Sequence, residues 1–356
     1  MWPNHGGKSG AIRKLVEKNG RKLEEMLDFS ANLNPLGTPV EVIEQMKKAI
    51  ENESMLYPDP DYEVETEIVA HVEGVNKNNV ILTNGGAEAI FLVTKLFQSG
   101  KAGILQPSFS EYERACKAHH IEIASIVLSE NRTWKDYKSL IKNLHVLIIC
   151  QPNNPTGTIM DETEMLSLLK WTKQNHVMVM MDEAFIHFVD INSHVRLLSE
   201  FSNLIVIKSL TKIFAVPGVR AGYIVADKEI IRQLKSFTIP WNVNCAALGL
   251  FRALPKTEGH IKKTQLWLKN EWAWLRSELE GLGFILSHTA VNFYLLKDPF
   301  LEDHEPLILF LAQKGIVARH TYHFHSLEGR CVRLAVRTRL ENECLVQHLK
   351  KWRQER

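Results

Sequence analysis

Ser209-Leu210-Thr211-Lys212, followed by Pro217-Gly218-Val219-Arg220-Ala221-Gly222-Tyr223, is the stretch on which the reading of this chain turns. The apolar run Leu204-Ile205-Val206-Ile207 reads as a buried strand that ends just before the lysine. A second strand-like run, Gly222-Tyr223-Ile224-Val225-Ala226, starts soon after it. A lysine between two such strands, with hydroxyls at 209 and 211 and Arg220 close behind, can hold a carbonyl cofactor as a Schiff base. The hydroxyls and the arginine would then meet the cofactor's phosphate. A surface loop with one ordinary lysine would explain the same residues, so the surrounding chain has to decide.

Working outward, helix-like and strand-like patterns alternate from about residue 62 to residue 226. The further strand-like pieces are Val80-Thr83, Gly103-Gln106, Glu122-Val127, Val146-Cys150 and Val177-Met181. Several are continuously apolar, as strands covered on both faces are. The alternation predicts an α/β fold with a large, mostly parallel sheet and helices on both sides. The last third changes character. A long helix at about 257–281 leads into Phe284-Ser287, Asn292-Leu296, Gly315-Ala318 and Val332-Val336, which predicts a smaller α+β domain. The expected division is 1–45 as an N-terminal segment joining the small domain, 46–240 as the large domain and 241–356 as the small C-terminal domain. A helix-like piece is expected at Lys8 to Lys18.

Composition narrows the function classes. A chain of 356 residues can bury a large core and divide in two. A net charge of +2 offers no electrostatic case for nucleic acid or an acidic membrane. Five scattered cysteines without CxxC spacing suggest free thiols in a reducing cytosol, not a disulfide framework or a zinc site. The N-terminus lacks the apolar core of a signal peptide, and the longest apolar runs are strand-sized. A cytoplasmic location is expected.

Four strand ends carry polar groups, and ligands in open α/β sheets bind outside the carboxyl ends of strands. Thr83-Asn84-Gly85-Gly86-Ala87-Glu88 opens a helix whose first N–H groups can cradle a phosphate. Gln151-Pro152-Asn153-Asn154-Pro155-Thr156-Gly157 is a rigid turn able to fix an amide over a ligand. Asp182-Glu183-Ala184-Phe185 puts a carboxylate at a buried strand end, where it needs a cationic partner. A pyridinium nitrogen would serve, and so would an internal arginine. Lys212 is the fourth.

Asn154, Asp182, Lys212 and Arg220, in that order and in these motifs, resemble the fold-type I pyridoxal-phosphate enzymes, the aspartate aminotransferase fold, over essentially the whole chain. The resemblance implies pyridoxal 5'-phosphate as cofactor, Lys212 as the lysine that binds its aldehyde and Asp182 as the partner of its ring nitrogen. It implies that Asn154 donates to the ring's phenolic oxygen and that Phe109 stacks on the ring, although core packing would also account for Phe109. Gly85, Gly86, Ala87, Ser209, Thr211 and Arg220 match the phosphate cup. Tyr57 matches a tyrosine that reaches the partner subunit's phosphate, implying a homodimer. Phe185 stands where many relatives have tyrosine and cannot donate to the phenolic oxygen.

The ends of the chain narrow the resemblance further. His5-Gly6-Gly7 and Leu27-Asp28-Phe29-Ser30-Ala31-Asn32-Leu33-Asn34-Pro35-Leu36-Gly37 resemble the L-threonine-O-3-phosphate decarboxylase family of cobalamin biosynthesis. The related histidinol-phosphate aminotransferases usually lack the His-Gly-Gly start and carry tyrosine at the position of Phe185. The decarboxylase family implies a phosphorylated amino-acid substrate held by His5, Gly6, Asn32, Asn154, Arg319 and Arg333. Planar guanidinium suits a two-point grip on carboxylate. His320, His323 and His325 lack the spacing of a zinc motif and are expected to form a basic lining. Decarboxylation leads, with an aminotransferase as the alternative. A non-catalytic sensor is disfavoured by the intact Lys212 and Asp182. No nucleic-acid or membrane partner is expected.

Overall fold

Strand order sets where a ligand can sit in this chain. The computed structural model describes residues 6–7, 26–128 and 132–355. His5 and the helix expected at Lys8 to Lys18 lie outside the described residues.

The short strand β1 (Leu27–Asp28) comes first. Then β2 (Val80–Thr83), β3 (Lys101–Gln106), β4 (Glu122–Val127), β5 (Val146–Cys150), β6 (Met178–Asp182), β7 (Leu204–Ser209) and β8 (Gly222–Ala226) form one seven-stranded sheet. Its order is β2-β8-β7-β6-β5-β3-β4. The pairs from β7 through β4 are parallel, and β8 alone runs against its neighbours β2 and β7. The expected α/β class and mostly parallel sheet are what the chain forms.

Period-two alternation divides the apolar strand residues between two faces. Ile104, Ile148, Met180, Ile205 and Ile207 pack with Ile90, Val93 and Tyr112 from the helices Gly86–Lys95 and Ser110–Ala118. Leu147, Val179, Met181, Leu204 and Val206 pack on the other side with Met165, Leu168 and Leu169 of the helix Glu162–Gln174. This double burial is why the runs carry no polar alternation.

Lys208 breaks the apolar pattern of that second face. Its ammonium lies 2.7 Å from Glu183 Oε2 and 3.6 Å from Glu73 Oε1. His194 Nδ1 and the Ser193 hydroxyl donate to the same Glu183 carboxylate at 2.6 and 2.7 Å. Burial pushes the Glu183 carboxyl up, but Lys208 and His194 hold it well below the usual carboxylate range. A buried charge survives when it is paired in this way.

The C-terminal third adds β9 (Ile285–Leu286), β10 (Phe293–Lys297), β11 (Ile316–Val317), β12 (Arg319–His320) and β13 (Val332–Ala335). Four of these form an antiparallel sheet in the order β12-β13-β10-β9. β11 pairs instead with β1 in parallel, Leu27 opposite Ile316, so the N-terminal segment is stitched onto the C-terminal third. The long helix Glu258–Gly281 stands where the pattern predicts it. Trp267, Trp272 and Trp274 on this helix pack against the core. Two helices, Cys245–Ala253 and Glu305–Gln313, occupy stretches that the sequence pattern leaves unassigned. No helix among the described residues is long and apolar enough to cross a membrane.

Candidate active site

The carboxyl ends of β2, β3, β5, β6 and β7 open at one edge of the large sheet, and a cavity of about 510 Å³ lies there. Gly6, Asn32, Gly86, Ala87, Phe109, Asn154, Asp182, Ser209, Thr211, Lys212, Arg220, Arg319 and Arg333 all line it. The structure therefore brings together nearly every described residue singled out from the sequence. Gly85 sits directly behind the lining. Tyr57 does not join the cavity of its own chain. It is 83% exposed, with its ring 4.9 Å from that of Trp241.

Asp182 is the last residue of β6, held by the sheet itself. Its carbonyl accepts from Gln151 N–H at 2.8 Å, and the next N–H, of Glu183, donates to Ile207 O at 2.8 Å. The expectation of an arginine or ring nitrogen beside its carboxylate left out a further neighbour. The Tyr112 hydroxyl donates to Asp182 Oδ2 at 2.7 Å, and Ala184 N–H donates to Oδ1 at 2.9 Å. Burial pushes the Asp182 carboxyl above its ordinary value, and these two donors pull it back. Tyr112 lies in the first turn of the helix Ser110–Ala118, with its ring 5.8 Å from that of Phe109, the residue before the helix.

Lys212 lies in a turn just past β7. Burial, reinforced by the charges of Arg333 and Arg220, lowers its ammonium from 10.5 to about 8, against the opposing pull of Asp182. An amine that sheds its proton so near neutrality is a competent nucleophile. Its backbone is held from the N-terminal segment. Asn34 N–H donates to Lys212 O at 3.0 Å, and Asn34 Nδ2 donates to Ile213 O at 2.8 Å and Thr264 Oγ1 at 2.9 Å.

The phosphate cup is a set of close approaches. Gly85 has φ +84°, which favours glycine, and a Cβ there would come within 2.4 Å of Arg220 Nη2. Arg220 itself adopts φ +59°, a left-handed value tolerated where tertiary contacts hold it. The hydroxyls of Ser209 and Thr211 lie 3.0 Å apart beside the start of the helix Gly86–Lys95. Free N–H groups, hydroxyls and a guanidinium at a helix N-terminus form an anion site.

Arg333 in β13 reaches across the cavity. Its Nη1 donates to Asn154 Oδ1 at 2.5 Å, and its Nη2 donates to Ser30 O at 2.8 Å. Burial and the charge of Arg319 lower it to about 9, and burial lowers Arg319 to about 10, so both stay cationic at neutral pH. Arg319 Nη1 lies 2.9 Å from His320 Nε2. A guanidinium only donates, so this imidazole nitrogen accepts and the His320 ring is neutral. Of the three histidines expected as a basic lining, His320 thus meets Arg319 as an acceptor. His323 and His325 are exposed. Phe185 is buried with its ring 4.8 Å from Phe293, edge to face, and supplies no donor. Ser30 and Phe324, neither anticipated, also line the cavity.

The donor set suits one kind of ligand. The cup would suit a phosphate, Asp182 a protonated ring nitrogen, Lys212 an aldehyde, Asn154 a phenolic oxygen and Phe109 a flat ring face. Asn32 Oδ1 and Arg333 Nε are buried without a hydrogen-bond partner among the described residues, as expected of a polar ligand site. Pyridoxal 5'-phosphate has the matching groups.

Residues 24–349 match the family described as aminotransferase class I and II. The threonine-phosphate decarboxylase of Salmonella typhimurium is 31% identical over 354 residues, covering 97% of this chain and 95% of its own. The histidinol-phosphate aminotransferase of Buchnera aphidicola is 30% identical over 366 residues, covering 95% and 98%. The crystal structure of the histidinol-phosphate aminotransferase from Clostridium acetobutylicum is 31% identical, with a TM-score of 0.88 over 93% of this chain and 100% of that one. Pyridoxal 5'-phosphate is the cofactor of these enzymes, in keeping with the donor set of the cavity. By the extent of the match, this chain belongs to the class I and II aminotransferase family.

Proposed function

We propose that this enzyme decarboxylates O-phospho-L-threonine to aminopropanol phosphate, a step of cobalamin biosynthesis. The observation that carries the reading is the arginine pair. Arg319 and Arg333 stand opposite each other in the β12–β13 register and line the same cavity as Lys212. Two buried cations side by side repel, and a substrate with two anionic groups relieves both. O-phospho-L-threonine brings a carboxylate and a phosphate. The 31% identity to a threonine-phosphate decarboxylase over nearly the whole chain supports the same substrate.

Each group then has a task. Gly85, Gly86, Ala87, Ser209, Thr211 and Arg220 would hold the cofactor's phosphate, with Phe109 on its ring face, Asn154 on its phenolic oxygen and Asp182 on its ring nitrogen. Bound through its aldehyde to Lys212, the cofactor supplies an electron sink for a bond broken at the substrate's α carbon. Arg333 would grip the carboxylate, while Arg319, Gly6 and Asn32 would surround the other anion. The Lys212 ammonium would deliver the proton that Cα gains when CO2 leaves. The orientation set by the arginines selects the bond that breaks.

The second reading is an aminotransferase acting on histidinol phosphate or a related amine, favoured by relatives of that name at similar identity. Lys212 would then remove the Cα proton. Incubating the holoenzyme with O-phospho-L-threonine separates the two. CO2 release without a keto-acid acceptor supports decarboxylation, whereas amino transfer to 2-oxoglutarate without CO2 refutes it.

The same reading makes the working unit a homodimer in which Tyr57 reaches the partner's cofactor. Met55, Leu56, Tyr57, Ile239 and Trp241 are exposed apolar side chains on this chain alone, in keeping with a covered face. Five free thiols accord with a cytoplasmic setting.

A further inference from the structure

We propose that His320 is a positioning residue for substrate binding, acting through Arg319. The proposal rests on the reading of Arg319 as a ligand of a substrate anion. Arg319 is 4% exposed and His320 1%, so the 2.9 Å contact between Arg319 Nη1 and His320 Nε2 is shielded from competing water. The guanidinium has no acceptor, so Nε2 must present its lone pair and the ring proton resides on Nδ1. The imidazole is itself fixed. His320 lies in β12 opposite Val332, with the Tyr322 ring 5.6 Å from it and the His323 ring 4.9 Å away at a steep angle. On the guanidinium side, the Phe324 ring centroid lies 5.6 Å from Arg319 Cζ. One acceptor and one aromatic ring together restrain the Arg319 head group.

Arg333 receives the equivalent service from Asn154 Oδ1 and Ser30 O, which belong to the large sheet's loops and the N-terminal segment. Arg319 receives it from its own chain neighbour. The two cations share the Phe324 ring, 5.6 Å from Arg319 Cζ and 5.9 Å from Arg333 Cζ, but differ in their hydrogen-bond acceptors, and His320 accepts only from Arg319. Fixing a long, rotamer-rich side chain before the ligand arrives removes an ordering cost from binding. Because the acceptor is a neutral ring, this contact orients the arginine without itself cancelling its charge. A carboxylate in this place would orient the guanidinium as well but would cancel its charge.

The test compares holoenzymes carrying His320→Leu, His320→Asn, His320→Gln and Arg319→Met, with O-phospho-L-threonine as substrate. Leucine removes the acceptor. Asparagine is too short to replace Nε2, and the glutamine amide oxygen reaches its place. The expected result is a KM about tenfold higher for His320→Leu and His320→Asn, with kcat changed less than about threefold. His320→Gln is expected to restore KM to within about threefold of the parent. Cofactor affinity should be unaltered in all three. An equal rise in KM for the glutamine variant overturns the proposal, because the effect would then follow ring packing and not the acceptor. So does an unchanged KM in the leucine and asparagine variants when Arg319→Met raises it. If Arg319→Met leaves KM unchanged, the assignment of Arg319 to the substrate fails first and the proposal falls with it. Melting temperatures identify any variant that folds poorly, and the asparagine–glutamine pair then decides.

Discussion

Arg333 and Asn154 meet through a 2.5 Å hydrogen bond although they are 179 residues apart. Since Arg333 can only donate, the Asn154 atom that faces it is the carbonyl oxygen. The amide NH2 is therefore turned the other way, available to donate to a ligand. One contact thus sets the orientation of the asparagine and joins the small sheet to the large one.

Replacing Arg333 by methionine removes the proposed carboxylate grip and releases Asn154 together. A buried, hydrogen-bonded charge of this kind contributes about 2–5 kcal/mol. The expected outcome is a loss of about a hundredfold or more in kcat/KM, accompanied by a changed cofactor absorbance spectrum. Arg333→Lys should recover little, since an ammonium cannot reach Asn154 Oδ1 and Ser30 O as a planar fork does. Steady-state kinetics and absorption spectra check both points.

The depressed Lys212 ammonium carries a stability consequence for the cofactor-free protein. Its folded value, about 8, lies below the ordinary 10.5. Between those values the unfolded chain binds a proton that the folded chain does not, so stability rises with pH across that window. Below about pH 8 the whole burial penalty is present. Lys212→Met should therefore stabilise the cofactor-free protein at pH 7, by about 3 kcal/mol at most, with the gain fading toward pH 10.5. Urea unfolding at pH 7 and pH 10 measures the difference. The same variant should lack decarboxylase activity.

Gly85→Ala tests the cup. A methyl at φ +84° is strained and would collide with the Arg220 guanidinium. The arginine must move from the proposed phosphate position, and the expected weakening of cofactor binding is at least about tenfold. Equilibrium dialysis or fluorescence titration with pyridoxal 5'-phosphate reads it directly, and added cofactor should recover most of the rate.

Tyr112→Phe removes a donor to the ionised form of Asp182. The carboxyl should then rise further above its ordinary value, because the hydroxyl is the largest of the influences opposing burial. The acid limb of the kcat/KM profile is expected to move to higher pH while the alkaline limb stays in place. A uniform loss of rate at all pH values would contradict this.

The large sheet was legible because both faces of each strand are buried. Gly103-Gln106 lengthens by two residues and Val177-Met181 shifts by one, to end on Asp182. The unassigned helices fail for a different reason. Leu248, Gly249, Leu250 and Phe251 are all buried, and Glu305–Gln313 is almost wholly apolar, so neither helix shows a polar stripe to betray its period. Lys212, Asp182 and Asn154 were readable as strand-end residues in a recognisable order. Tyr112 was not, since its link to Asp182 exists only where the helix Ser110–Ala118 packs across the sheet. Glu183, Lys208 and Glu73 likewise read as isolated charges until the strands bring them together.

The loop from Ser30 to Asn34 engages both halves of the catalytic apparatus at the backbone level. Ser30 O accepts from Arg333, Leu33 O accepts from Asn292 Nδ2, and Asn34 holds the carbonyls of Lys212 and Ile213. In three of these bonds a side-chain donor meets a backbone carbonyl, and in the fourth, Asn34 N–H to Lys212 O, backbone meets backbone. For anyone engineering this protein, the seven-stranded sheet is consequently not a detachable scaffold. A version trimmed past residue 34 would lose the Ser30 contact to Arg333 and the seating of Lys212 in a single cut, whereas circular permutation that keeps the loop intact would preserve both.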